Sequence, residues 1–394
     1  MERRKYLIIG GGLAADAAIR GIRELDRDGS ILAVSDEDAP PYNRPPLSKA
    51  LWRGAPVDTI WRHTKLSGAE LRLGTKVIAL DPVSKAARDA TGQTYAYGKL
   101  LLATGGSPRR LRDADEAVIY FRKLADFKRT WEFASHGADF AVIGGGFIGS
   151  ELAAALAMNG RKVSLIFPGA CIGDRLYPRP LANFLNVYFR KHGVDVRFSE
   201  RVERIDRQTD KLVVRTVDNG ATAVDVVVAG IGIEPNVDLA KSAGLAIDGG
   251  IIVDGRLRTS NPDIYAAGDV ANFPCQPLGR RMRFEHEDNA AVMGRTAGRN
   301  MAGQSEVYRH LPFFYSDLFE LGYEAVGEID SHMETVEDWE QKFLKGVIYY
   351  IANGRVRGVL LWNVWGHVDA ARELITSRRQ PAQSELIGRL RESG

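Results

Sequence analysis

Cysteine is nearly absent: Cys171 and Cys275 are the only two in 394 residues. That excludes a disulfide framework and a metal-binding Cys pair, and no metal site is expected. No apolar run approaches the ~18 residues of a membrane span. Neither sign of charge is in excess, since 53 basic and 50 acidic residues leave a net +3. A balance so small does not imply nucleic acid as a partner. The first strand-like run begins at Tyr6, so neither a cleaved signal nor a transit peptide is expected. These absences point to a cytoplasmic chain without a membrane span. Glycine, by contrast, is plentiful: 41 residues, above the usual ~7%. The glycines cluster without a fixed period, which excludes collagen-like and low-complexity readings and directs attention to glycine-rich turns. At ~150 residues per domain the length suggests two or three domains.

Two of these turns have the same setting. Tyr6-Leu7-Ile8-Ile9 reads as a buried parallel strand, followed by Gly10-Gly11-Gly12-Leu13-Ala14-Ala15 and a helical stretch with Ala17, Ala18 and Ile22. The pattern is G-x-G-x-x-A. Gly10 permits the tight turn, Gly12 lets a pyrophosphate approach the backbone, and small Ala15 keeps helix and strand close. A second strand, Ile31–Val34, leads to Asp36, which lies 21 residues beyond Ala15, where an acid binds adenosine ribose. The unit recurs: Phe140–Ile143, then Gly144-Gly145-Gly146-Phe147-Ile148-Gly149, a helix from Ser150 to Asn159 and a strand Val163–Phe167. One glycine fingerprint is a weak signal, but two copies in full strand–turn–helix–strand context predict two dinucleotide sites.

Two dinucleotides on one chain suggest an electron relay, a flavin accepting hydride from a nicotinamide. Further glycine turns fit that layout. Leu100-Leu101-Leu102 runs into Ala103-Thr104-Gly105-Gly106, Val226–Ala229 leads to Gly230 and Gly232, and Tyr265-Ala266-Ala267-Gly268-Asp269 ends another strand.

Together these motifs resemble the two-dinucleotide-domain flavoprotein reductases. Pro41-Tyr42-Asn43-Arg44-Pro45-Pro46-Leu47-Ser48-Lys49, Glu285-His286-Glu287-Asp288-Asn289-Ala290 and Gly294–Met301 are similar to the ferredoxin-reductase and apoptosis-inducing-factor branch of the pyridine nucleotide-disulfide oxidoreductases. Leu51-Trp52, Tyr323–Gly327, Gly346–Tyr350 and Leu361-Trp362-Asn363 resemble the apoptosis-inducing-factor-like group most. The resemblance runs from about Tyr6 to Ile375. It implies an α/β fold of glutathione-reductase-like architecture, with two Rossmann-like FAD and NAD(P)H domains and a C-terminal α+β domain. The expected boundaries are 1–112 and 243–309 for FAD, 113–242 for NAD(P)H and 310–394 for the last domain.

The resemblance also implies residue roles. Gly10, Gly12, Ala15 and Asp36 would hold the ADP half of FAD, and Arg44 would add charge-assisted contacts there. Ala103, Thr104 and Gly105 belong to the same site, and Asp269 would bind the ribityl hydroxyls. Gly144, Gly146, Phe147, Ile148, Gly149 and Gly232 would bind NAD(P)H, with Phe147 facing the nicotinamide. Lys49 and Glu151 would form the pair beside flavin N5, the lysine stabilising negative charge and the glutamate holding it charged. Read without the resemblance, Lys49 is a solvated surface lysine and Glu151 a first-turn acid suited to the helix dipole. Glu285 and His286 would lie near flavin and nicotinamide, with His286 two residues into a helix. Proton transfer and structural hydrogen bonding are both open to it. Phe314 and Trp362 would line the flavin, though core packing is an equal reading of each.

Departures from the family pattern narrow the chemistry. No cysteine lies near Leu47–Trp52, so the poised thiol pair of disulfide exchange is missing and electrons must leave the flavin directly. Gly169 stands where an NADH enzyme usually presents an acid, and no arginine follows for a 2′-phosphate unless Arg175 folds back. NADH is the expected donor, with NADPH as the alternative. Tyr315 stands where relatives commonly carry Trp, and the segment from Ser331 to Lys345 is short and acidic. Strands are expected near Glu324–Glu328, Lys345–Ile351 and Arg355–Trp362, with a last helix starting near His367.

Three functions are consistent with this reading. One is an NAD(P)H oxidoreductase passing electrons to a quinone, oxygen or protein acceptor. Another is a ferredoxin or rubredoxin reductase, docking an acidic carrier through Arg280-Arg281-Met282-Arg283. The third is a redox-dependent sensor or interaction protein, a homodimer being the family default.

Overall fold

The computed structural model describes residues 2–391. It divides into two compact units: Met1–Asn43, Asp58–Ser107 and Glu234–Pro312 form one, and Arg44–Val57, Pro108–Ile233 and Phe313–Gly394 the other.

In the first unit a parallel sheet places strands Glu70–Arg72, Ile31–Val34, Glu2–Ile9, Thr94–Leu102 and Ile264–Ala266 side by side. Tyr6–Ile9 are all buried, as a strand covered on both faces requires. The strand starts four residues earlier than its apolar run, because Glu2–Arg4 continue the ladder opposite Tyr95–Tyr97. The backbone bonds that carry those charged residues leave no trace in hydropathy. Helix Leu13–Arg23 follows the first glycine turn and packs on helix Glu287–Met301 at backbone distance. A Cβ added to Gly298 would lie 2.8 Å from the carbonyl carbon of Ala18 and 2.9 Å from its Cα. In an open helix Gly→Ala gains about 1 kcal/mol. Here the obstacle is backbone, so Gly298→Ala is expected to destabilise by about 1–3 kcal/mol, read as a lower urea midpoint at unchanged slope.

In the second unit a five-stranded parallel sheet runs Val194–Phe198, Val163–Phe167, Phe140–Ile143, Val226–Ala229, Ile119–Tyr120. Its first four strands follow the 3-2-1-4 order of a nucleotide-binding sheet, and the edge strand Ile119–Tyr120 precedes them all in the chain. A three-stranded antiparallel sheet, Val202–Gln208, Lys211–Thr216 and Ala221–Val224, joins its hydrophobic core through Ile205, Leu212, Val214 and Val224. Helix Phe147–Met158 begins three residues before the expected Ser150, with Gly146 as its N-cap.

The same unit holds a five-stranded antiparallel sheet in the order Phe313–Leu318, Leu321–Gly327, Arg355–Trp362, Lys345–Ala352, Glu334–Gln341, and helix Val368–Thr376. Its three central strands match the expected ones. The two that sequence reading missed are the edges. An edge strand pairs on one side only and tolerates charge, so Glu334–Gln341 reads as an acidic linker rather than a strand. No helix among the described residues is long and apolar enough to cross a membrane.

Candidate active site

The first unit builds a phosphate cradle from its glycine turn. Gly10 has φ +132°, and a Cβ there would lie 2.7 Å from the carbonyl carbon of Ala103. The turn thus sits directly against the Ala103-Thr104-Gly105 segment, whose Ala103 N–H donates to Ile9 O at 2.8 Å. That segment is held by Asn236, a residue given no site role from sequence. Thr104 Oγ1 donates to Asn236 O at 2.8 Å, Asn236 Nδ2 donates to Thr104 O at 2.8 Å, and Asn236 N donates to Gly105 O at 2.9 Å. Gly12 is the N-cap of helix Leu13–Arg23 and no side chain caps it, while a Cβ at Gly12 would meet nothing within 4 Å. Unsatisfied N–H groups facing open space at a helix N-terminus suit a pyrophosphate. Ala15 is fully buried at the helix–strand contact. Asp36 is exposed just past strand Ile31–Val34, whereas neighbouring Glu37 is engaged by the Tyr42 hydroxyl. Gly268, at φ +79°, lies 3.0 Å from the Ala14 Cβ by the same Cβ construction, which brings the Gly268-Asp269 turn beside the fingerprint helix.

The second unit repeats the cradle. Gly144 has φ +116°, and its Cβ would lie 3.0 Å from the carbonyl carbon of Gly230. A Cβ on Gly149 would lie 2.8 Å from the carbonyl carbon of Gly144, so this third glycine sets the helix against the turn. Gly146 is again an uncapped N-cap with nothing within 4 Å of an added Cβ. Phe147 is half-buried, its ring 5.1 Å from Phe314 in an edge-on contact, while Ile148 and Gly232 are exposed. Both cradles fit a dinucleotide by the same two observations, uncapped N–H groups and open volume.

Within the second unit Lys49 and Glu151 meet. Lys49 Nζ lies 2.7 Å from Glu151 Oε2, with side chains 9% and 2% exposed. The solvated reading of both residues is therefore wrong. Glu151 also accepts from Ser48 Oγ at 2.6 Å on Oε2 and from Ser316 Oγ at 2.6 Å on Oε1. A buried carboxylate is tolerated only when paired and hydrogen-bonded, and these three donors meet that condition. Neither serine carries a fingerprint. Ser48 adjoins Lys49, and Ser316 comes from one of the missed edge strands. The Lys49 ammonium also sits 5.1 Å from the centre of the Tyr315 ring, so the Tyr that replaces the family Trp faces the cation. Behind the cluster, Tyr177 donates to the Tyr323 hydroxyl at 2.9 Å, and burial raises the pKa of both phenols.

Three expectations need correction, and Arg44 gains a contact within the protein. His286 is not inside a helix: it is the N-cap of Glu287–Met301, and Glu285 lies outside the first turn, paired with Arg283 at 2.7 Å. Trp362 is fully buried, stacked on Tyr323 at 5.5 Å, and its indole N–H donates to Phe343 O at 3.0 Å. It presents no surface to a cofactor and serves the core. Arg44 donates to the backbone of Arg122 at 3.0 Å, which commits part of its guanidinium to the protein. In the arginine cluster, Arg281 donates to the carbonyls of Val253 and Asn272, and Arg283 to that of Asp269, so two of three guanidinium groups serve the fold rather than a partner.

Burial pushes the pKa of His286 down to about 4, against the raising influence of Asp269 and Asp288. The imidazole is neutral at pH 7. Its folded pKa lies below the unfolded ~6.5, so the unfolded state takes up the proton first. Stability is then fully present above pH ~6.5, falls as the pH drops, and levels off below about 4. In His286→Asn the decline between pH 6.5 and 4 is expected to be shallower than in the parent, measured by urea unfolding at several pH values.

The fold and its two cradles define a two-dinucleotide oxidoreductase. Residues 4–294 match the family described as pyridine nucleotide-disulphide oxidoreductase, and residues 297–342 and 337–377 match the C-terminal domain of the mitochondrion-associated apoptosis-inducing factor. The chain belongs to the pyridine nucleotide-disulphide oxidoreductase family and is an FAD-dependent NAD(P)H oxidoreductase. It is 36% identical to apoptosis-inducing factor 1 of Dictyostelium discoideum, over 96% of this chain and 79% of that one. It is 32% identical to the ferredoxin–NAD(+) reductase component of the anthranilate 1,2-dioxygenase system of Burkholderia cepacia, over 98% and 97%. Among solved structures, the covalent putidaredoxin reductase–putidaredoxin complex gives a TM-score of 0.92 at 30% identity, covering 100% of this chain and 97% of that one. Despite the family name, both cysteines of this chain are buried and free.

Proposed function

We propose that the chain takes hydride from NADH onto FAD and passes the electrons directly to a non-disulfide acceptor, a quinone, oxygen or a small redox protein. The buried Lys49–Glu151 pair, in a chain without a cysteine pair, carries this reading. FAD when bound supplies a two-electron acceptor able to release electrons one at a time. Residues 1–112 and 243–309 would hold it, through Gly10, Gly12, Ala15, Asp36, Thr104, Gly105 and Asp269. Residues 113–242 would hold the nicotinamide dinucleotide through Gly144, Gly146, Phe147, Ile148, Gly149 and Gly232, and 310–394 would form the third domain. Lys49 would balance the negative charge that arrives with hydride. Glu151, itself held by Ser48 and Ser316, would hold that lysine in place. A cytoplasmic location and a homodimer belong to the same reading.

The likeness to putidaredoxin reductase and to a ferredoxin–NAD(+) reductase component favours a one-electron protein carrier as acceptor. Anaerobic stopped-flow mixing with NADH is expected to bleach the flavin within seconds. Cytochrome c reduction that requires an added [2Fe–2S] ferredoxin would select the protein carrier, whereas reduction of quinone alone would select the quinone. If neither nucleotide bleaches the flavin, and the protein changes size on nucleotide addition, the sensor reading replaces both.

A further inference from the structure

Gly169 lies 20 residues beyond Gly149, where a dinucleotide fold that binds NADH presents an acid to the adenosine ribose. The structure fills that place from elsewhere. A Cβ built on Gly169 would lie 2.9 Å from Cγ of Asp174 and 3.2 Å from its Oδ1, so the Asp174 carboxylate occupies the volume of a side chain at position 169. The loop between them is held on several sides. Gly173 N donates to Gly145 O of the fingerprint at 2.9 Å, Ser199 N to Gly169 O at 2.8 Å, and Asn186 Nδ2 to Ala170 O at 3.0 Å. The hydroxyl of Ser331 donates to the Asp174 backbone carbonyl at 2.6 Å. The carboxylate itself is half-buried and accepts no hydrogen bond from the described residues. A cleft of about 230 Å³ lies past the carboxyl ends of strands Val163–Phe167 and Val194–Phe198, lined by Pro168, Ser199, Arg201, Val217 and Asp218, of which Pro168 adjoins Gly169 in the chain and Ser199 donates to its carbonyl. Ligands of open parallel sheets bind at such strand ends.

We infer that Asp174 is the specificity residue for the nicotinamide donor. Its carboxylate replaces the missing acid at position 169, accepts the adenosine ribose hydroxyls of NADH and repels the 2′-phosphate of NADPH. Glycine at 169 is then required, because any side chain there would displace Asp174. This inference rests on the reading of the second fingerprint as the nicotinamide site. Arg201, on the cleft wall, is the cation that would favour NADPH if Asp174 did not decide the choice, and Asp218 shares that wall with it.

The test uses the flavin-loaded full chain. The ratio of kcat/KM for NADH to that for NADPH is measured, and NAD⁺ and NADP⁺ binding to the oxidised protein is titrated by calorimetry. The parent is expected to prefer NADH by at least about tenfold. Asp174→Ala is expected to lower that ratio about 100-fold, since it removes charge-assisted hydrogen bonds to one nucleotide and like-charge repulsion from the other. Asp174→Asn keeps the shape and loses the charge, so it should relieve the penalty on NADP⁺ binding with a smaller loss for NAD⁺. A parent that prefers NADPH, or a ratio unchanged within about twofold in both variants, overturns the assignment of Asp174 and leaves the oxidoreductase reading intact. Failure of either nucleotide to bind or to reduce the flavin would instead remove the nicotinamide site itself.

Discussion

Glu151→Ala is expected to destabilise the protein by about 3–5 kcal/mol, the usual cost of stranding a buried charge. The lysine left behind is 9% exposed, and the hydroxyls of Ser48 and Ser316 lose the acceptor they reach at 2.6 Å. Lys49→Met strands the carboxylate instead, with both serines still donating to it, and should cost less. The double variant Lys49→Met, Glu151→Leu removes both charges and should recover much of the loss, so the cycle yields a large coupling energy by urea unfolding. The kinetic consequence separates structure from chemistry. If Lys49 balances charge during hydride transfer, Lys49→Met should slow flavin reduction by NADH about 10²–10³-fold, and the double variant, although stable, should stay slow. A stable double variant that reduces at the parent rate would show the pair to be structural only.

A side chain at Gly10 is expected to abolish FAD retention, while one at Gly12 should weaken FAD binding without harming the fold. The two glycines sit two residues apart but face different constraints. Gly10 has φ +132°, strained for any L-residue, and its Cβ would press on the Ala103 backbone. Gly10→Val therefore breaks the turn itself, at about 1–3 kcal/mol for the backbone alone, before the overlap is counted. A Cβ at Gly12 meets no protein atom within 4 Å, so Gly12→Val only fills space in front of uncapped N–H groups. The expected results are apoprotein with a lowered urea midpoint for Gly10→Val. For Gly12→Val they are a parent-like midpoint and an FAD affinity reduced at least about 100-fold on rebinding. Equal flavin content in Gly12→Val and the parent would mean that the pyrophosphate lies elsewhere.

Local chemistry made much of this legible in one dimension. Strand, glycine turn, helix and second strand follow one another within about thirty residues, and each step has its own residue signal. The runs Ile31–Val34, Phe140–Ile143, Val163–Phe167 and Val226–Ala229 coincide with strands to the residue, because strands covered on both faces are apolar nearly throughout, the half-buried Ser164 being the one polar residue among them. Both phosphate turns, the missing cysteine pair and the vacancy at Gly169 are likewise visible as letters. Edge strand Glu334–Gln341 is not, since one-sided pairing does not demand an apolar run.

What remained hidden depends on residues distant in the chain. Ser48 and Ser316 become acceptor-satisfying groups only when an edge strand and a short turn close on Glu151, more than a hundred residues away. Asn236 has no motif, yet it laces the Thr104 turn, and Trp362 passes from cofactor wall to core because Tyr323 stacks on it. Asp174 takes the place of an absent acid because its loop is tied back to Gly145. Backbone requirements such as turns and buried strands are local, so they are written in adjacent residues. The partners of a buried charge and the volume beside a glycine are set by tertiary packing, so only the folded chain decides them.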